Sequence, residues 1–402
     1  MKRSEIETIA SEQKERLLAS DSGMIREALA SLTDTSTHAL IISGIRRCGK
    51  STLLHQYLLK QSGEFFYFHF EDIRLYNFQT NDFKLLDTVI NNSGVKILFF
   101  DEIQSVKGWE LFVRQKLDAH FKVVITGSNA SLLSREFGTK LTGRHITKEL
   151  FPFSYREFIN FKRLKPSFDS LVAYMQNGGF PEFLQHGNID TLKMLIDDIV
   201  YRDIVVRHSV KDASSVKRLL SYLLYNAANL TSPSKLTSVA GVKSSTTVLE
   251  YFSYFEDAYL IAQMHKFSYS AKAQALAPKK IYVCDAGLIR AGAVLPSENY
   301  GYFLENMVFI HLRRKQETMY YYNDHDKECD FVIVRHNKPI AAIQVCWELT
   351  SDNEEREING LTDAMRSFNL NKGMIVTANQ RDTLMLDDLE ISIVPAFEFF
   401  IK

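Results

Sequence analysis

The chain is short of cysteine, of excess charge of either sign, and of long apolar runs. Only four cysteines occur, Cys48, Cys284, Cys329 and Cys346, and no two form a C-x-x-C pair. Neither a zinc ribbon nor a disulfide framework is expected, and reduced thiols in a cytosolic protein are the plain reading. Lys+Arg and Asp+Glu each number 48, so the formal net charge is zero. A globally basic nucleic-acid binder is thereby excluded, although a local basic face is not. No apolar run approaches the ~20 residues that a spanning helix needs. The opening M-K-R-S-E-I-E-T-I-A has no apolar core of a secretory signal. A cytoplasmic location with no membrane partner is therefore expected. The 11 histidines are scattered without H-x-x-x-H spacing, and G-x-S-x-G is absent. Zinc and serine-hydrolase chemistry have no motif to rest on.

What is present is the balance of a globular protein. With 46% hydrophobic and 24% charged residues, collagen-like, mucin-like and disordered chains are excluded. At ~150 residues per domain, the 402 residues hold two or three domains. Residues 1–36 read as a helical segment, with Ile9, Leu17, Leu18, Ile25 and Leu29 spaced for one face. From residue 37, short apolar runs at 39–43, 65–70, 95–100 and 122–126 alternate with amphipathic stretches such as 82–91 and 109–120. That alternation predicts an α/β fold, a parallel sheet covered on both faces. A fifth strand at 145–150 closes this unit, 37–152. Residues 153–210 read as a helical lid or linker, broken by G-G-F-P at 178–181. Residues 211–278 give a three-helix pattern, with Pro233 at a helix start and Gly241 before the third helix. This predicts a helix-turn-helix. Residues 279–402 read as a separate mixed α/β domain.

The strongest local signal is G-I-R-R-C-G-K-S-T at 44–52, that is Gly44, Ile45, Arg46, Arg47, Cys48, Gly49, Lys50, Ser51 and Thr52. It fits G-x-x-x-x-G-K-[ST] at every fixed position, between a strand pattern and a helix pattern. The two glycines let the backbone curl so that N–H groups converge on phosphate oxygens. Lys50 is placed for the β- and γ-phosphates and the Ser51 hydroxyl for magnesium. The helix opening at Ser51 turns its positive end to the same anion. Arg46 and Arg47 either contact phosphate or pair with acidic neighbours.

Two further pieces complete a candidate site. I-L-F-F-D-E at 97–102 is a buried-type strand with two carboxylates at its tip. There Asp101 would hold magnesium through water, and Glu102 would polarise the attacking water. V-V-I-T-G-S-N at 123–129 ends a second strand in small polar residues. Ser128 or Asn129 either hydrogen-bonds the water or γ-phosphate, or caps a helix. Arg144, before the last strand, either stabilises transition-state charge at its own or a neighbouring site, or is a solvated surface arginine.

The order G-x-x-x-x-G-K-S, F-F-D-E-I-Q, T-G-S-N and G-R resembles AAA+-type P-loop ATPases. More narrowly, it resembles a widespread prokaryotic group of AAA-family ATPases. In that group the ATPase domain precedes a helical segment, a winged helix and a C-terminal α/β domain. F-H-F-E-D at 68–72, G-G-F-P at 178–181, Y-R-D-I-V at 201–205 and E-C-D-F-V at 328–332 match as well. The resemblance implies ATP and magnesium as ligands, ATP hydrolysis, and a possible homo-oligomer.

The resemblance also frames the later segments. In the candidate third helix, near 244–258, Val248, Tyr251, Phe252 and Phe255 form the core stripe. Ser245, Thr246, Glu250, Ser253 and Tyr254 face outward, and Lys243 is the nearby base beside Glu256 and Asp257. That face is poor for phosphate, so a protein partner fits better than DNA. Lys272, Lys279 and Lys280 remain as residues of a basic wing. The order Glu305, Asp330, Gln344 looks like a restriction-endonuclease-like core. Gln344 stands at its second acid and Cys346 at its lysine, so the magnesium site lacks its usual parts. The expected function is an ATP-driven switch whose nucleotide state controls partner or DNA engagement. The alternatives are an ATP-stabilised binding module with little turnover, and an ATP-regulated nuclease.

Overall fold

The computed structural model describes residues 1–33, 37–130, 143–293 and 300–402. The end of the expected N-terminal segment, 34–36, lies outside them. The chain divides into two compact units, Met1–Phe151 and Pro152–Lys402.

The first unit opens with helix α1 (Arg3–Ala19), followed by strand β1 (Ala39–Ser43), α2 (Lys50–Leu59), β2 (Phe65–His69) and α3 (Phe83–Ser93). Strand β3 (Ile97–Asp101), α4 (Trp109–Asp118), β4 (Lys122–Gly127) and β5 (His145–Glu149) complete it. The five strands form one parallel sheet in the order β2-β3-β4-β1-β5. All five residues of β1 are buried, as a strand covered on both faces requires. The core is rich in phenylalanine. Phe68, Phe70, Phe83, Phe100 and Phe112 pack ring against ring in edge-to-face, tilted and stacked pairs, with Phe83 and Phe112 centroids 4.7 Å apart.

Helix α1 departs from its sequence pattern. Its buried face is Ile6, Ile9, Ala10 and Gln13, whereas Leu18 and Ile25 are 48% and 74% exposed. The helix ends at Ala19, so the apolar periodicity drawn through to Leu29 spans two elements. Gln13 instead grips the edge of the sheet. Its amide donates to the His69 carbonyl at 3.1 Å, and its oxygen accepts the His69 N–H at 2.9 Å.

The second unit begins with helices α5 (Tyr155–Lys162), α6 (Phe168–Asn177), α7 (Pro181–His186) and α8 (Asp190–Asp198). A π-helix, Ile199–Val206, continues α8. The G-G-F-P break explains itself here. A Cβ on Gly179 would stand 2.2 Å from the Phe153 carbonyl oxygen, and Phe153 N–H donates to the Gly179 carbonyl at 2.6 Å. Next come α9 (Ala213–Tyr225), β6 (Leu230–Thr231), α10 (Thr237–Ala240), α11 (Ser245–Asp257), β7 (Ile261–Met264), α12 (Ala271–Leu276) and β8 (Lys279–Val283). Val248, Tyr251, Phe252 and Phe255 are the buried residues of α11. The strands form a small antiparallel sheet in the order β6-β8-β7. The run 279–283 therefore belongs to this middle sheet and does not open the last domain.

Helices α13 (Ala286–Gly292) and α14 (Tyr300–Arg314) lead to β9 (Thr318–Asp324), β10 (Lys327–Arg335), β11 (Lys338–Val345), α15 (Glu354–Ser367), β12 (Lys372–Thr377), β13 (Asp382–Leu386) and β14 (Leu389–Pro395). These strands make one mixed sheet in the order β13-β14-β12-β11-β10-β9. No helix of the described residues is long and apolar enough to cross a membrane.

Candidate functional site

The chain leaves β1 at Ser43 and enters α2 at Lys50, and the six-residue passage is held from behind. Gly44 N–H donates to the Gly127 carbonyl at 3.3 Å, and the Cys48 thiol donates to the Leu150 carbonyl at 3.4 Å. A Cβ on Gly44 would fall 2.0 Å from the Leu150 oxygen. Gly49 has φ +97°, a left-handed conformation that a side chain resists. Both glycines are thus required by the backbone path. Ile45 and Cys48 are buried. Arg46 pairs with Glu71 at 3.1 Å.

Lys50 is buried, and its ammonium donates to the carbonyls of Gly44 and Ile45, each at 3.1 Å. It lies 3.6 Å from Glu102 Oε1. Burial opposes its charge, but the carboxylates of Glu102 and Asp101 outweigh that and hold its pKa above the ordinary lysine value. The ammonium therefore stays charged at the loop.

Asp101 and Glu102 stand at the tip of β3, beside the loop. Asp101 is buried and accepts from Tyr67 Oη at 3.1 Å and from the Thr126 hydroxyl. His69 lies 3.5 Å from its Oδ2. Burial raises the Asp101 pKa, yet nearby His69 and the Thr126 hydroxyl overcome that and hold it below the ordinary carboxylate value. Ser51 is exposed in the first turn of α2. The Ser51 hydroxyl and the Asp101 carboxylate are hard oxygen donors of the kind that suits magnesium.

Glu102 has φ +53° and ψ +40°, uncommon for a residue with a side chain. Its Oε2 accepts from the Ser128 N–H at 3.2 Å, from the Ser128 hydroxyl at 3.1 Å, and from the Gln104 amide. Its own N–H donates to Thr126 Oγ1 at 3.2 Å. Asn129 is buried one residue on and, through its backbone carbonyl, accepts the Ser43 hydroxyl at 3.1 Å. The loop, Asp101, Glu102 and Ser128 are brought together; the Asn129 bond made here is a backbone bond.

Arg144 is not brought there. It precedes β5, whose first residue His145 pairs with Ala39 at the start of β1. The phosphate loop leaves the other end of β1, about 16 Å away at ~3.3 Å per residue. Its guanidinium meets Asp118 at the end of α4. Reach to its own phosphate site is thereby corrected, because a parallel sheet puts strand starts and strand ends on opposite rims.

Tyr67, His69, Gln104 and Thr126 are site residues that sequence reasoning did not single out. The signal for His69 is register: once β2 pairs in parallel with β3, His69 stands opposite Asp101.

The C-terminal carboxylates gather separately. Asp330 N–H donates to Gln344 Oε1 at 3.1 Å, and the Gln344 amide donates to Glu357 at 2.6 Å. Lys280 reaches in from β8, with its Nζ 3.0 Å from Glu305, 2.6 Å from Glu328 and 2.8 Å from Asp330. It is buried, so it belongs to no wing. The cation among these carboxylates comes from β8. This cluster borders a cavity of about 710 Å³ that also meets Tyr302, Trp347 and Arg356. Among the described residues no three His, Cys, Asp or Glu side chains converge to hold a metal ion.

Comparison with known proteins places these units. Residues 36–159 match an AAA domain family. Residues 168–299 and 300–398 match two domains of unknown function, DUF8612 and DUF4143. An uncharacterized protein of Methanocaldococcus jannaschii, MJ1544, is 36% identical over 392 residues, covering 89% of this chain and 87% of its own. An uncharacterized protein of Haemophilus influenzae is 32% identical over 374 residues, covering 87% and 92%. A second M. jannaschii protein, MJ1637, is 21% identical over 84% of this chain and 80% of its own. The phosphate loop on a parallel sheet and these matches agree, and the chain belongs to the family that includes MJ1544 and the H. influenzae protein, with a P-loop AAA domain ahead of two domains of unknown function.

Proposed function

We propose that the chain is an ATP-hydrolysing switch whose nucleotide state controls engagement of a partner by its second unit. The observation that carries this is Glu102. A pure nucleotide binder needs no carboxylate beside the metal-holding Asp101, yet Glu102 is built into the site by Ser128 and Thr126. In this reading Lys50 and the loop N–H groups hold the phosphates, and Ser51 and Asp101 hold magnesium. Bound there, magnesium would neutralise charge developing on the phosphates. Glu102 accepts a proton from the attacking water, and Ser128 positions it. The ring of donors around Glu102 favours slow turnover until a partner loosens them.

The segment 213–283, with four helices and a three-stranded antiparallel sheet, supports the winged-helix reading. The C-terminal cavity supports a docking module over a magnesium nuclease, since the Lys280 ammonium already occupies the space between Glu305, Glu328 and Asp330, where a metal ion would be repelled. A protein partner therefore fits better than DNA.

The test is phosphate release from magnesium ATP, with and without double-stranded DNA. The native chain should release phosphate, Lys50→Ala should release none, and Glu102→Gln should bind ATP while turning over ~10²–10⁴-fold more slowly. Native-level turnover in Glu102→Gln would return the chain to the class of nucleotide-stabilised binders.

A further inference from the structure

We propose that Arg26 is a positioning residue of the nucleotide site, clamping the phosphate loop in its anion-binding form; this rests on the nucleotide reading above. Arg26 is 2% exposed, which is rare for arginine and implies specific partners. One guanidinium nitrogen donates to the Cys48 carbonyl at 2.7 Å. Another donates to the Phe151 carbonyl at 2.7 Å, at the exit of the β5 side of the sheet. The side chain thus ties the floor of the phosphate loop to the chain that leaves the domain.

The direction of the first bond matters. A trans peptide is planar, with its C=O and N–H on opposite sides. Holding the Cys48 carbonyl toward Arg26 turns the Gly49 N–H the other way, toward the concave face of the loop. A nest of such N–H groups is what binds phosphate. Without Arg26 this peptide is free to rotate and present its oxygen, which repels an anion. A Cβ on Gly49 would also stand 2.8 Å from Arg26 Nη1. The glycine is therefore required by the clamp as well as by its φ.

The clamp is itself braced. Arg26 N–H donates to Gln56 Oε1 at 3.0 Å, and the Gln56 amide donates to the Ser22 and Met24 carbonyls at 2.7 and 2.8 Å. Gln56 lies on α2, the helix that springs from the loop. The segment 22–26 and α2 are thereby one rigid support under the phosphates.

The experiment is isothermal titration of the full chain with magnesium ATP, with Lys50→Ala as the control for the site. Arg26→Ala should weaken ATP about tenfold, the loss of one charge-assisted bond. Inorganic tripolyphosphate, competing for the same loop, should weaken in parallel. Millimolar guanidinium should restore much of the affinity, and methylammonium should not. Arg26→Lys keeps the charge without the fork and should lie between. Circular dichroism without nucleotide checks that each variant is folded. A folded Arg26→Ala that binds ATP within about twofold of native overturns the proposal, as does affinity that guanidinium leaves unchanged. If both variants fail to fold, Arg26 is a packing residue and the proposal falls. A native chain that binds no ATP removes the nucleotide reading and the clamp with it.

Discussion

Asp285 shows how one buried carboxyl ties two segments and makes stability depend on pH. It accepts the Gly179 N–H and the Gly287 N–H, each at 2.8 Å. Burial pushes its pKa up to about 6, against the pull of those two bonds. Its folded pKa lies above the unfolded value, so its contribution is full below about 4 and is lost as pH rises through about 6. Chemical denaturation at intervals from pH 4 to 7 should show stability falling on this account, most of it below about pH 6. Asp285→Asn should flatten that slope while costing about 1–2 kcal/mol for an acceptor exchanged for a donor. An unchanged slope in the variant would assign the pH dependence elsewhere. Arg26 and Lys280 are residues of the same kind, decisive and silent in sequence. Arg26 finds Phe151 at 125 positions' distance, and Lys280 finds Asp330 at 50. No local pattern marks such a pairing, and a lone lysine at a strand start reads as exposed.

Elements were legible where the signal is local. Ala-Leu-Ile-Ile-Ser before a glycine loop can only be a buried strand tip, and Ile-Leu-Phe-Phe ahead of Asp101 repeats it. Strand ends that line one rim of a parallel sheet then bring Gly44, Asp101 and Ser128 together without further assumptions. The N-terminal helix was misread because apolar residues at helical spacing continue past Ser20, where the helix has ended. Periodicity reports a face and says nothing of a break. What α1 does is cover an edge strand, and Gln13 does so by standing in for a neighbouring strand at His69. Gln13→Ala should cost about 1–3 kcal/mol, since the His69 backbone groups lose buried partners. Because His69 borders Asp101, the variant should also raise the KM for magnesium ATP. A denaturant midpoint that does not move would mean water replaces the amide.

At the scale of the whole molecule, the placement of Arg144 bears on whether the proposed ATPase works as one chain or as several. Arg144 sits on the rim opposite its own phosphate loop and is paired with Asp118. If it serves catalysis, it serves the site of a second copy. Two disabled chains then test the arrangement directly. Arg144→Ala keeps an intact loop and Glu102 but offers no arginine. Glu102→Gln cannot hydrolyse ATP but still presents Arg144. Each alone should be nearly inactive. Mixed in equal amounts and allowed to exchange, they should recover roughly a quarter of native turnover, the fraction of random interfaces that join a good loop to a good arginine. Native turnover should also rise faster than linearly with concentration through the range where copies associate. Arg144→Ala with native turnover would make it a surface arginine held by Asp118. Loss of activity without recovery on mixing would place its effect within the chain, through the start of β5, where its carbonyl accepts the Ala39 N–H at 3.1 Å.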